Sequence, residues 1–191
     1  MRKVLFIMAA VALLIATPNH VNAEEGPDGK GIRAGWQSSY LTIGNQELSE
    51  SSNGFYVGFF KSNNIGIDLL KLNSGIEYYQ INGKANSDLN LKTDLKLHYL
   101  SIPISLRAKI GPVYGFAGVN GAIKLGGDFT FMGEDIGVSD VSTFDAGGHL
   151  GIGFKFMMLG VEAKYNWGFV DIMDDVDSKT EYLQIGAVLF F

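Results

Sequence analysis

The sequence predicts an all-β protein, an eight-stranded antiparallel up-and-down β-barrel that crosses a membrane. Three observations predict it. A two-residue alternation recurs in eight segments; long and short connectors alternate strictly between them; and one face of the segments is apolar while the other gathers charge and glycine. Successive side chains on a strand point to opposite faces, so this period reads as a strand and sorts its residues onto two surfaces.

The eight segments are Lys30–Tyr40, Gly54–Lys61, Leu69–Ile81, Leu95–Ile110, Pro112–Leu125, Thr143–Phe156, Leu159–Phe169 and Glu181–Phe191. All but Gly54–Lys61 have at least the roughly 9–11 residues that a tilted strand needs to cross a bilayer. Four connectors are long and polar: "LTIGNQELSESSN", "NGKANSDLNLKTD", "GGDFTFMGEDIGVSDVS" and "VDIMDDVDSKT". The other three are short: "SNNIGID", Gly111, and Met157–Met158. All long loops therefore emerge at one end, as in outer-membrane barrels with short periplasmic turns and longer extracellular loops.

The segment from Leu159 to Phe169 poses the question of which face is inside. Leu159, Val161, Ala163, Tyr165, Trp167 and Phe169 share one face, and Gly160, Glu162, Lys164, Asn166 and Gly168 the other. The apolar face extends through residues such as Ile32, Val57, Ile76, Leu106, Val119, Ile152 and Ile185. The polar face carries Arg33, Lys71, Glu77, Arg107, Lys109, Lys124, Asp145, His149, Lys155, Glu162 and Lys164, with Gln37, Asn73, Ser101, Ser105, Asn120 and Gln184. A soluble sandwich would bury the apolar set. A membrane barrel inverts this, turning the apolar set to lipid and pairing the charges in a small lumen. Two features favour the barrel. Trp36, Tyr40, Tyr165, Trp167, Phe169 and Tyr182 sit near strand ends, where interfacial girdles belong. Glycines such as Gly35, Gly58, Gly118, Gly151, Gly153 and Gly186 crowd the polar face, leaving room for long charged neighbours. Leu95 and Leu97 are out of phase with Leu100, Ile102 and Ile104, which predicts a bulge near Tyr99, and Pro103 predicts a locally irregular ladder.

The start of the chain fits export. Arg2 and Lys3 precede the apolar run Val4–Ala16, which is too short for a spanning helix of about 20 residues. "VNA" follows, with small residues at Val21 and Ala23, the layout of a signal peptide cut after Ala23. Residues 1–23 are thus a signal peptide, 24–29 a short polar segment and 30–191 the barrel. The absence of Cys excludes a lipoprotein and any disulfide, so stability rests on packing and backbone pairing. Cleavage removes two basic residues and takes the net charge from −5 to −7, which argues against nucleic acid as a partner.

The motifs "GIRAGWQSSY", "GFYVGFF", "SGIEYYQINGK", "YLSIPISLRAK" and "GVEAKYNWGFVDI" occur in an order that resembles the outer-membrane β-barrel domain family that includes PorT-like proteins. The most recognisable element is Tyr99, Leu100, Ile102 and Pro103. The resemblance implies an eight-stranded barrel in the outer membrane of a Gram-negative bacterium and brings no catalytic residues. Alternating apolar residues ending on Phe191 also resemble the C-terminal signal read by the barrel-assembly machinery.

Chemistry is sparse. Lipid-modifying barrels use a His with a nearby Ser and an acid at the membrane face. His98 and Ser101 are three residues apart on a strand and so lie on opposite faces, while His149 and Asp145 share the polar face as members of a luminal hydrogen-bond network. The loop around Asp171, Asp174, Asp175 and Asp177 lacks the Gly and distal Glu of a calcium hand. With Glu47, Glu50, Asp128, Glu134, Asp135 and Asp140 it makes the outer loops acidic, as solvated loops near lipopolysaccharide bridged by divalent cations would be. No phosphate loop, Cys–His cluster or dinucleotide fingerprint occurs, so no metal or cofactor is expected. The expectation is a non-enzymatic barrel with a mostly filled lumen, in contact with outer-membrane lipid and lipopolysaccharide. It would act structurally or on a surface ligand through its long loops. A narrow porin, a PorT-like secretion accessory and a lipid-modifying enzyme are the alternatives.

Overall fold

Ten strands follow one another in the computed structural model. They are β1 Lys30–Ile43, β2 Gln46–Glu47, β3 Ser52–Asn64, β4 Leu70–Ser87, β5 Leu91–Ile110, β6 Val113–Phe131, β7 Glu134–Ile136, β8 Phe144–Phe156, β9 Leu159–Gly168 and β10 Ser178–Phe190. The structure describes residues 29–43, 46–47, 52–66, 69–87, 91–131, 134–136, 143–169 and 178–191. The expected signal peptide and the acidic loop at 171–177 lie outside the described residues.

Eight strands form the wall in the order β10-β9-β8-β6-β5-β4-β3-β1, each antiparallel to the next. β1 then pairs back onto β10, from Gly31↔Phe190 to Ile43↔Ser178, and closes the barrel. Closure leaves no wall strand with a free edge, which a lipid environment requires because no water there can satisfy unpaired backbone groups. The short β2 folds back on the end of β1 and β7 on the end of β6.

The period-two pattern becomes an inside and an outside. On β9, Val161 is 59% exposed on the outer wall while Glu162, its neighbour, is 5% exposed. Ile32, Val57, Phe59, Ile76, Leu106, Val119, Ile152 and Ile185 are likewise exposed on the outer face. This answers the question of the two faces: charge is inside and aliphatic surface meets lipid.

Three sequence expectations need correction. The connector between the third and fourth segments is largely strand, as β4 runs on to Ser87 and β5 begins at Leu91, and β6 carries the ladder into the next long connector as far as Phe131. Cross-strand pairing costs nothing in apolar burial once the two strands have left the bilayer, so polar sequence continues the ladder. The bulge does fall at Tyr99, but its extra residue is on the partner strand and not on β5. His98 pairs with Gly126 and Tyr99 with Lys124, so the extra residue is Leu125 on β6. β5 therefore keeps its phase, and Leu97 turns inward with Tyr99. Tyr182, assigned to the interfacial girdle, is instead buried in the lumen. Trp36, Tyr165 and Phe169 are exposed on the outside; the side chain of Tyr40 lies outside the described set.

Pro103 does interrupt its ladder. Pairing of β4 with β5 passes from Ser74↔Ile104 to Glu77↔Ser101 with no partners for Gly75 and Ile76. Pro103 lacks the N–H that the ladder would use at this point.

Candidate functional site: the lumen

The inward side chains stack in three layers. The layer at the long-loop end is aromatic and aliphatic: Tyr56, Tyr79, Ile81, Leu97, Tyr99, Ala122 and Tyr182. Tyr79 is the hub, with ring centroids 5.4 Å from Tyr99 and 5.2 Å from Tyr182, both stacked. The layer at the short-turn end contains Phe60, Tyr114, Phe116, Val188 and Phe190. Between them lies a polar layer.

That polar layer is cross-linked through its centre. Lys164 Nζ on β9 donates to both carboxylate oxygens of Glu77 on β4, each at 2.9 Å. Gln184 Nε2 donates to Glu77 Oε1 at 3.0 Å and to Gln37 Oε1 at 2.8 Å. Gln37 Nε2 passes the chain on to Ser39 Oγ at 3.2 Å and to the Gln80 carbonyl at 3.3 Å. A second carboxylate, Glu162, accepts from the Tyr114 hydroxyl at 2.9 Å and pairs with Arg33 Nη1 at 3.5 Å. Inside a protein these charge-assisted bonds are stronger than in water, and breaking one leaves a buried charge behind.

The remaining luminal candidates take up defined places. His149 is buried with its ring 6.2 Å from that of Phe116, and Asp145 is buried four residues along the same face, nearer the long-loop end. Their Nδ1 and Oδ1 atoms have no hydrogen-bond partner. Lys155 is buried with Nζ 4.5 Å from the Phe190 ring centroid. Lys71, Lys109 and Lys124 are half-buried nearer the mouths. Arg107 is buried with its guanidinium 3.8 Å above the Tyr114 ring and 4.8 Å from that of Phe190. Phe191 faces outward beside Phe59, ring centroids 6.4 Å apart.

Sequence reasoning missed the inward aromatics. In "GFYVGFF" both faces of the strand are apolar, so the pattern does not reveal that Tyr56 and Phe60 turn inward. The signal lay in the glycines, whose role also needs correction. They make room for rings more than for long charged chains. Gly153 pairs with Tyr114 and Gly151 with Phe116, and a methyl group on either glycine would come within 2.2 or 2.3 Å of the partner ring. Gly31 stands in the same relation to Phe60. An aromatic lying across a glycine on the next strand covers exposed backbone and fills a narrow interior.

No catalytic group emerges from the histidines. His98 faces outward and its Nδ1 lies 2.7 Å from the Tyr78 hydroxyl, whereas Ser101 is buried inside. Among the described residues no group of three or more His, Asp or Glu could hold a metal ion.

The model for the family described as "Outer membrane protein beta-barrel domain" matches residues 30–174. Among solved structures, the barrel is similar to Ail, the attachment invasion locus protein of Yersinia pestis, with a TM-score of 0.57 and 18% identity. That match covers 86% of this chain and 99% of Ail. It is also similar to Neisserial surface protein A, with a TM-score of 0.61 and 16% identity over 85% of this chain and 97% of that one. A second Ail structure, in complex with the heparin analogue sucrose octasulfate, matches with a TM-score of 0.55 and 17% identity over 86% of this chain and 99% of that one. No curated protein matches the chain.

Proposed function

Because the chain belongs to the outer membrane protein β-barrel domain family, and is thus an outer-membrane barrel of a Gram-negative bacterium, we propose that it works at the cell surface through its protruding strands and not through its lumen. The observation that carries this reading is the unequal height of the wall. β4, β5 and β6 have 18, 20 and 19 residues, whereas β9 on the opposite side has 10. About 10 residues suffice to span the bilayer, so the three long strands stand well clear of it on one side.

The lumen supports the same reading. Two layers rich in packed rings and a cross-linked polar layer fill it, as side chains fill small barrels of eight strands. A lumen filled in this way favours neither steady ion conduction nor turnover inside the barrel. The partners we propose are outer-membrane lipid and lipopolysaccharide around the wall, the barrel-assembly machinery at the outward-facing Phe191, and a surface ligand at the raised sheet. Ail has been crystallised with a sulfated heparin analogue. Here the loop sequences are acidic, which favours a cationic or cation-bridged ligand over a polyanion.

The test uses a variant in which residues 83–94 are replaced by an Asn-Gly turn. It is expressed in cells lacking the protein and compared with the wild type for outer-membrane level, surface adhesion and envelope integrity, with conductance measured in planar bilayers. The surface reading expects normal assembly, no steady conductance and no rescue of the surface phenotype. Full rescue by the shortened chain would leave the barrel alone as the functional part, and steady wild-type conductance would favour a narrow porin.

A further inference from the structure

Two neighbouring turns at the short-turn end carry no polar side chain. β5 passes to β6 through Ile110, Gly111, Pro112 and Val113, and β8 to β9 through Phe156, Met157, Met158 and Leu159. The turns stand side by side, because β6 pairs with β8 at Val113↔Phe154 and the Lys155 N–H donates to the Pro112 carbonyl at 2.7 Å. Ile110 is 80% exposed and Met157 77%, and Val113, Phe156, Met158 and Leu159 are exposed with them. Tight turns in water are built mostly from Gly, Asn, Asp, Ser and Pro. Met157 also holds a φ of 57°, where Gly or Asn sits at lower cost, so turn geometry does not account for its side chain.

The patch continues the lipid-facing wall without a break. Every outward residue of β5 from Leu100 to Ile110 is aliphatic, and Phe154 and Val161 carry the same surface onto β8 and β9. On the opposite wall the apolar belt stops short of the rim. β1 and β3 stand four strands away from β6 and β8. There Lys30 and Lys61 pair in the ladder next below Ile32 and Phe59 on the outward face, and Asn63 follows Lys61. Ile65 and Leu69, exposed in the link from β3 to β4, lie beyond these polar residues. Lysines at a membrane boundary keep their charged ends in the headgroup region, so the lipid boundary on this side lies above the rim. At the two apolar turns no side chain marks such a boundary.

We propose that the turn from β5 to β6 and the turn from β8 to β9 form a lipid-binding surface, seated among the phospholipids of the inner leaflet, while the β1–β3 side of the same rim lies at the water boundary. The short-turn end faces the periplasm in barrels of this type, and a wet rim would leave this patch in water. Continuity with a wall that already faces lipid selects phospholipid over a periplasmic protein as the occupant. Seating at the leaflet boundary strands no backbone group, because the carbonyls of the turns still meet water and headgroups there. β5 and β6, with 20 and 19 residues, are thus anchored most deeply at one end and rise well above the bilayer at the other.

The chain has no Cys, so Met157→Cys, Asn64→Cys and Val161→Cys each accept a single environment-sensitive fluorophore. The full barrel is reconstituted in vesicles of phosphatidylethanolamine and phosphatidylglycerol, with iodide on both sides of the membrane. The label at Met157→Cys is expected to be shielded from iodide and quenched by lipid brominated near the headgroup end of its chains. The label at Val161→Cys should be quenched by lipid brominated deeper, and that at Asn64→Cys by iodide. A second measurement needs no label. Asp accepts a left-handed φ more readily than Met, so a wet turn makes the urea midpoint of Met157→Asp in vesicles equal to or higher than that of wild type. A turn seated in lipid lowers it, while Asn64→Asp leaves it unchanged. Labels at Met157→Cys and Asn64→Cys that respond alike, or a Met157→Asp midpoint at or above that of wild type, would overturn the proposal.

Discussion

Lys164 and Glu77 reach each other across the full width of the barrel. They stand on β9 and β4, four strands apart in either direction around the wall, and meet in two bonds of 2.9 Å. Their buried pair therefore ties together strands that share no backbone hydrogen bond. Lys164→Met is expected to leave Glu77 charged with Gln184 as its remaining donor, destabilising the barrel by roughly 3–5 kcal/mol. The double variant Glu77→Leu/Lys164→Met should be less destabilised than the single one, since no charge is left unpaired. Urea unfolding in lipid vesicles measures both, and equal losses in the two variants would show that the pair does not act as a unit.

Val161 and Glu162 test the two faces at adjacent positions. Val161→Arg places a cation against lipid and is expected to cost roughly 2–4 kcal/mol near the bilayer midplane. Glu162→Gln keeps the shape but deprives Arg33 of its charge partner. Its effect should respond only weakly to added salt, because the pair is shielded from solvent. A neutral Glu162→Gln beside a detergent-free soluble wild type would contradict a barrel in lipid.

The inward glycines predict a contrast between neighbouring positions on the same wall. Gly153→Ala drives a methyl group into the Tyr114 ring and should destabilise by about 1–3 kcal/mol, the range of overpacked cores. Gly115→Ala, on the outer face with its nearest neighbour 3.8 Å away, should be neutral or slightly stabilising. Denaturant midpoints of the two proteins in the same vesicles give the comparison. Equal effects would mean that the rings do not depend on these glycines for space.

The two tightest turns make opposite predictions. Gly111 has φ of 62° and Met157 has φ of 57°. The left-handed region costs a residue with a Cβ about 1–2 kcal/mol. Gly111→Ala should therefore lower stability by roughly 1 kcal/mol, and Met157→Gly should leave it unchanged or raise it by a few tenths. Unfolding midpoints that move in the reverse order would show that apolar contacts of Met157, which is well exposed at this rim, outweigh its backbone strain.

The sequence by itself determined the number of wall strands, the alternation of long and short links, and which face of β9 carries charge. Those features follow from local rules. A period of two puts Val161 and Glu162 on opposite faces whatever the strand packs against, and a run such as Leu159–Phe169 states its own polarity. Lysines, arginines and carboxylates such as Lys164, Arg107 and Glu77 could be assigned to one surface in the same way. Only the tertiary structure decided who meets whom on that surface. The bond between Lys164 and Glu77 joins residues 87 positions apart in sequence, and it depends on the register of every strand between them. Closure also decided the fate of the ambiguous residues. Tyr56 and Phe60 are apolar enough for either face, and what sends them inward is the space left over Gly186 and Gly31, which exists only once the sheet has curved into a narrow tube. The same curvature encloses Arg107 between the rings of Tyr114 and Phe190, a juxtaposition that no stretch of sequence contains.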